Sequence, residues 1–153
     1  MTEIRFYHLF SMPLEKALPV LLEKVVERHW RALIVTDSLK RVSELDSRLW
    51  TYKPSSFLPH GMVGDKDAEL QPILLTHKDE NSNDANVLFL VDGAESKHIG
   101  KFEICCLLFD GNDTDGLIKV REAWASYKNE GHKVIYLQQE PSGKWSEKRT
   151  VRD

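Results

Sequence analysis

At 153 residues, with 41% hydrophobic and 29% charged side chains, the chain suits one globular domain with a full core. No apolar run approaches the ~20 residues that span a bilayer, and Met1 to Arg5 shows no charged segment leading into one, so neither a membrane span nor a secretory signal is expected and the location reads as cytoplasmic. The net charge of −3, with acids and bases interspersed, lacks the basic excess of a protein that grips DNA by itself.

Ile4 to Leu9 reads as an opening strand. Pro13 then sits near the start of a helical pattern, where its missing N–H is harmless, and Leu14, Leu18, Leu21, Leu22, Val25 and Val26 recur at helical spacing through about Trp30. Ala32 to Val35 is a short buried strand, and Asp37 or Ser38 can cap a second helix carrying Leu39, Val42, Leu45 and Leu49. Lys53 to Leu70, rich in Pro, Gly, Ser and Asp, reads as a long loop. Strands follow at Ile73 to Leu75 and Val87 to Val91, separated by the polar run from His77 to Asn86. A helical turn near Glu95 to Lys101 leads into the apolar run Ile104 to Phe109, and Thr114 to Asn129 forms an amphipathic helix. His132 to Gln139 is a last strand, and the charged segment after Pro141 reads as a mobile tail. The alternation predicts a three-layer α/β/α domain over 1–140, with a mostly parallel sheet, and a tail over 141–153.

Sheets of this type often bind nucleotides at the first turn, where glycines let backbone amides approach phosphate. Here that turn runs His8 to Leu14 without a glycine, and no Walker-type loop occurs, so no nucleotide cofactor is expected. Asp37, near the end of the second strand, reads as a helix cap instead of a ribose ligand. The six histidines lack paired metal spacing, and no metal is expected. From Gly111 the sequence approaches a calcium loop, but its first position has no carboxylate and the run before it reads as a strand. Asn112 and Asp115 fit capping and favourable placement at a helix start. Cys105 and Cys106 are neighbours in a strand, so they point to opposite faces and read as reduced structural thiols. No catalytic residues are assigned.

Two constellations remain. Leu49 to Gly61 packs Trp50, Tyr52, Phe57, Pro54 and Pro59 where the chain leaves a helix for a loop. Trp50 and Phe57 either fold back to close the core or form a rigid apolar docking surface. On the helix from Thr114, Arg121, Trp124 and Lys128 share one stripe, with Tyr127 and His132 beside it. That stripe is either a solvated basic face or a pocket for an acidic peptide with an apolar end.

At these residues the sequence resembles the chi subunit family of bacterial DNA polymerase III holoenzyme. The similarity runs through Phe6 to Leu9, Leu14 to Val35, Glu44 to Gly61, Gln71 to Leu75, Asn86 to Gly93, Leu108 to Gly111 and Val120 to His132. It implies an α/β/α fold akin to nucleotide-binding domains without their site, and a non-catalytic accessory role at the clamp loader. It also implies two partners: the acidic, phenylalanine-ending C-terminal tail of single-stranded DNA-binding protein, and the psi subunit. By position, Arg121, Trp124 and Lys128 match the tail site, and Trp50, Phe57 and Pro59 match the psi-facing surface. DNA would be reached mainly through partners. Leu117 and Ala125 stand where some relatives carry lysine, which makes the tail site less basic. The fold class also keeps in view a nucleotide-binding enzyme with a degenerate site, and the docking surface an adaptor for a DNA repair helicase. A thermal-shift screen separates the enzyme reading: ATP, NAD and divalent metals are expected to leave the melting temperature unchanged.

Overall fold

The opening apolar run folds as β1 (Glu3–Leu9), which lies inside an eight-stranded sheet. The computed structural model describes residues 2–10, 12–52 and 58–151. After β1 come α1 (Leu14–Glu27), β2 (Ala32–Val35), α2 (Leu39–Thr51), β3 (Gly61–Met62), β4 (Ile73–Thr76) and β5 (Val87–Leu90). β6 (Ile104–Asp110), α3 (Thr114–Asn129), β7 (Lys133–Gln139) and β8 (Trp145–Val151) complete the chain. The strand order is β3-β4-β2-β5-β6-β1-β7-β8, and every neighbouring pair is parallel except β7 with β8. This is the three-layer, mostly parallel architecture that the alternation of elements implies.

β2, β4 and β5 are buried at every position, as parallel strands covered on both faces must be. β1 alternates. Tyr7 and Leu9 enter the core beneath α1 and α2, while Ile4 and Phe6 enter the core beneath α3. The neighbouring Cys105 and Cys106 split between those two cores in the same way. Burial raises both thiols, Cys106 to about 12.

The helix ends follow local chemistry. The Pro13 carbonyl accepts from the Lys16 and Ala17 amides, both at 3.0 Å, and so starts α1. α1 stops short of Trp30 because His29 turns left-handed (φ 59°) and the Trp30 amide donates back to the Val25 carbonyl at 3.1 Å. The Ser38 hydroxyl caps α2 by accepting from the Arg41 amide at 3.2 Å. Asp113, not Asn112, caps α3 by accepting from the Gly116 amide at 3.1 Å, and Asp115 follows in the first turn. The Arg41 guanidinium ties three segments together, reaching Asp92 at 2.8 Å, Glu15 at 3.1 Å and Glu44 at 3.1 Å.

Two segments differ from expectation. The long loop contains β3 and a 3-10 turn at Ala68–Leu70, and its Lys53 to Phe57 portion lies outside the described residues. The charged segment after Pro141 forms β8 along the edge of β7 instead of a mobile tail. Its Trp145 ring meets Tyr7 edge-on at 5.0 Å, an aromatic anchor that charge composition alone does not reveal.

Glu3 links β1 to β7 through Lys133 at 3.2 Å and also pairs with Arg5. Burial pushes its carboxyl up, but the hydrogen bonds and charges of Arg5 and Lys133 outweigh that and hold it below its ordinary value. A carboxyl depressed in the folded state stabilises above its unfolded pKa, and that contribution fades as pH falls through the folded value. Urea unfolding across the acid range is expected to show Glu3→Gln losing less stability than the parent chain below about pH 4.5.

Candidate functional site

The chain leaves the adjacent strands β1 and β6 toward opposite faces, into α1 and α3. Such a switch opens a crevice at the carboxyl ends of the strands, where open α/β sheets usually bind ligands. The crevice is present, with a volume of about 1190 Å³. Its lining carries Glu15, Asp92, Glu95, Asp110, Asp113, Asp115 and Glu122 against two bases, Arg41 and Lys119. Hydrogen bonding to Asp92 is the largest influence holding Arg41 charged beyond its ordinary range, so this guanidinium is already committed to carboxylates. A polyphosphate would meet like charge there. Among the described residues no cluster of histidine, cysteine and carboxylate side chains could hold a metal.

α3 divides this acidic crevice from a surface of different character. Lys119, Val120, Glu122, Ala123, Ser126 and Tyr127 line the crevice, whereas Arg121, Trp124 and Lys128 do not. Arg121 and Lys128 are exposed, and among the described residues neither forms an ion pair. Trp124 is half-buried. Its ring meets Phe6 edge-on at 5.3 Å and Tyr136 of β7 at 6.2 Å, so it is both core anchor and surface wall. Tyr127 packs toward Phe6 at 6.2 Å, and burial raises its phenol to about 12. His132 turns inward, its Nδ1 accepting from the Thr2 amide at 3.2 Å, and so serves the fold.

Three residues beside this stripe come from strands and were not visible as part of it. Tyr136 is half-buried, and its hydroxyl hydrogen-bonds Nδ1 of His8. Burial raises the Tyr136 phenol, while the nearby Arg121 charge opposes that rise. Phe109 of β6 completes the group, 5.0 Å from His8 and 6.1 Å from Tyr136 between ring centres. Burial lowers the His8 imidazole, with Asp110 partly offsetting it, which favours the neutral ring. The available signal was strand alternation: Ile4, Phe6 and His8 share a face, and His8 is the polar end of that face.

The second constellation lies on the opposite face, where α2 packs over β3 and β4. Trp50 is 51% exposed, so it does not close the core, whereas Leu49 and Leu58 on either side are buried. The indole packs against the His60 ring, tilted to it by 47° with 4.3 Å between ring centres. His60 is itself buried, with Nδ1 2.7 Å from the Leu58 carbonyl and Nε2 3.1 Å from Asp46 without a hydrogen bond between them. Pro59 is half-buried next to it. Phe57 lies outside the described residues. The described members of the two sets therefore sit on opposite faces, one toward the β3 edge of the sheet and the other toward the β7 edge.

Residues 1–135 match the family described as DNA polymerase III chi subunit, HolC. A Rickettsia prowazekii (strain Madrid E) protein named "Probable DNA polymerase III subunit chi" is 26% identical over 155 aligned positions, covering 95% of this chain and 92% of the relative. The chain belongs to the DNA polymerase III chi subunit family. Among the described residues no helix is long and apolar enough to cross a membrane.

Gly111 supplies a test of the strand-borne cluster. A Cβ at this position would lie 1.7 Å from His8 Nε2, so any side chain displaces the imidazole. Gly111→Ala is expected to lose about 1–3 kcal/mol of stability in chemical denaturation, through overpacking.

Proposed function

We propose that this chi-family chain is a non-catalytic adaptor in the DNA polymerase III assembly, joining the clamp loader to the acidic C-terminal tail of single-stranded DNA-binding protein. The observation that carries this reading is the outer flank of α3, where exposed Arg121 and Lys128 border the half-buried ring of Trp124. An exposed ion pair contributes only about 0–1 kcal/mol, whereas micromolar affinity needs about −8 kcal/mol. An acidic peptide therefore needs an apolar wall as well as cations, and this flank offers both. The acidic crevice on the other side of α3 repels the same peptide.

Trp50, Phe57 and Pro59 are proposed as the face for psi or its equivalent in the clamp loader. Support comes from the exposed indole, held on a buried histidine in place of a mobile loop. Separation of the two surfaces across the sheet lets both partners bind together. A helicase could use the Trp50 face in the same way, and it would then compete with psi.

A labelled peptide of consecutive aspartates ending in phenylalanine is expected to bind saturably at low salt and to weaken as salt rises. Arg121→Ala should weaken it by about tenfold, equivalent to about 1.4 kcal/mol. Absence of saturable binding at low salt overturns the tail reading. Trp50→Ala is expected to leave peptide affinity unchanged while abolishing psi capture in a pull-down with purified psi. Loss of peptide affinity in that variant would show that the surfaces are not separate.

A further inference from the structure

We propose that Tyr136 on β7 is a direct binding group of the α3 flank, its hydroxyl meeting the peptide carboxylate that Arg121 attracts, with His8 on β1 as the residue that positions it. This rests on the reading of that flank as the acidic-peptide site. Packing alone accounts for the ring of Tyr136, which contacts Trp124 at 6.2 Å and Phe109 at 6.1 Å. It does not account for the hydroxyl. Phenylalanine would fill the same space with no polar tip to satisfy, and an apolar residue at position 8 would continue the face begun by Ile4 and Phe6.

The polar pair instead forms a relay across two neighbouring strands. Tyr136 is half-exposed, and its oxygen bonds to His8 Nδ1. His8 is held from the other side by Phe109 at 5.0 Å and by the backbone of Gly111, where no Cβ can fit. A phenol has one proton to give and lone pairs to receive with. When Nδ1 of neutral His8 carries its proton, the imidazole donates to the Tyr136 oxygen and frees the phenolic proton to point outward. That proton and the Arg121 guanidinium then act as two donors for one carboxylate. Arg121 is close enough for its charge to act on the Tyr136 phenol. The charged and titratable groups acting on His8 are Asp110 of β6 and Tyr136 itself. Among the described residues no carboxylate acts on the Tyr136 phenol.

The test uses the full chain and the same aspartate-rich, phenylalanine-ending peptide at low salt. Tyr136→Phe is expected to weaken binding by about three- to tenfold, the typical net worth of one hydrogen bond in water. His8→Leu should give a similar loss, and the double variant should lose no more than either alone, because both changes break one relay. His8→Asn, which places an amide where Nδ1 lies, should recover most of the affinity; a structural defect would not be rescued this way. Thermal unfolding of each variant confirms that it is folded, and Tyr136→Phe preserves the packing if His8→Leu does not. An unchanged affinity in Tyr136→Phe, alongside weakening in Arg121→Ala, overturns the role of Tyr136 and leaves the flank reading standing. Additive losses in the double variant overturn the role of His8. Absence of saturable binding by the unaltered chain overturns both readings together.

Discussion

The structure depends on β1 being buried from both sides while flanked by parallel neighbours, β6 and β7. Alternate side chains of one strand must then satisfy two separate cores. Phe6 meets Trp124 and so fixes the roll of α3 about its axis, which decides which residues of that helix face water. Tyr7 meets Trp145 and so anchors the final strand. His8, at the strand's end, reaches Tyr136. Both the α3 flank and the closure of the sheet edge are consequences of packing on this one strand.

α3 then works as an electrostatic divide. Its inner side borders a crevice dominated by carboxylates, and its outer flank carries Arg121 and Lys128. Because β1 and β6 send the chain to opposite faces, the crevice that related architectures use for nucleotides is present. Carboxylates and the paired Arg41 make it unsuited to phosphate. The fold has the crevice of a ligand-binding sheet, while the exposed cations Arg121 and Lys128 stand on the outside of a helix.

Much of the fold was legible because the parallel strands are near-continuous apolar runs, and α2 and α3 begin at side-chain caps. Ser38 and the period of Leu39, Val42, Leu45 and Leu49 define α2 with little ambiguity. β8 was obscured because its sequence is mostly polar and charged outside Trp145, whose half-buried ring anchors it against Tyr7. The helical stripe of Arg121, Trp124 and Lys128 was legible because helix spacing is local. Tyr136, Phe109 and His8 were not, since three strands distant in sequence bring them together. The role of His60 was likewise hidden: nothing in the spacing from Trp50 announces that a buried imidazole supports the exposed indole.

The two cysteines give the layered architecture an internal pair of reporters. Cys105 sits in the core beneath α3 and Cys106 in the core beneath α1 and α2, each buried and each with a thiol that burial keeps protonated. A thiol reagent reaches either one only after its own layer parts from the sheet. In chains retaining a single cysteine, labelling rates would therefore time the opening of each layer separately. Whether a partner seated on one face stiffens the other could then be read out without adding a foreign probe.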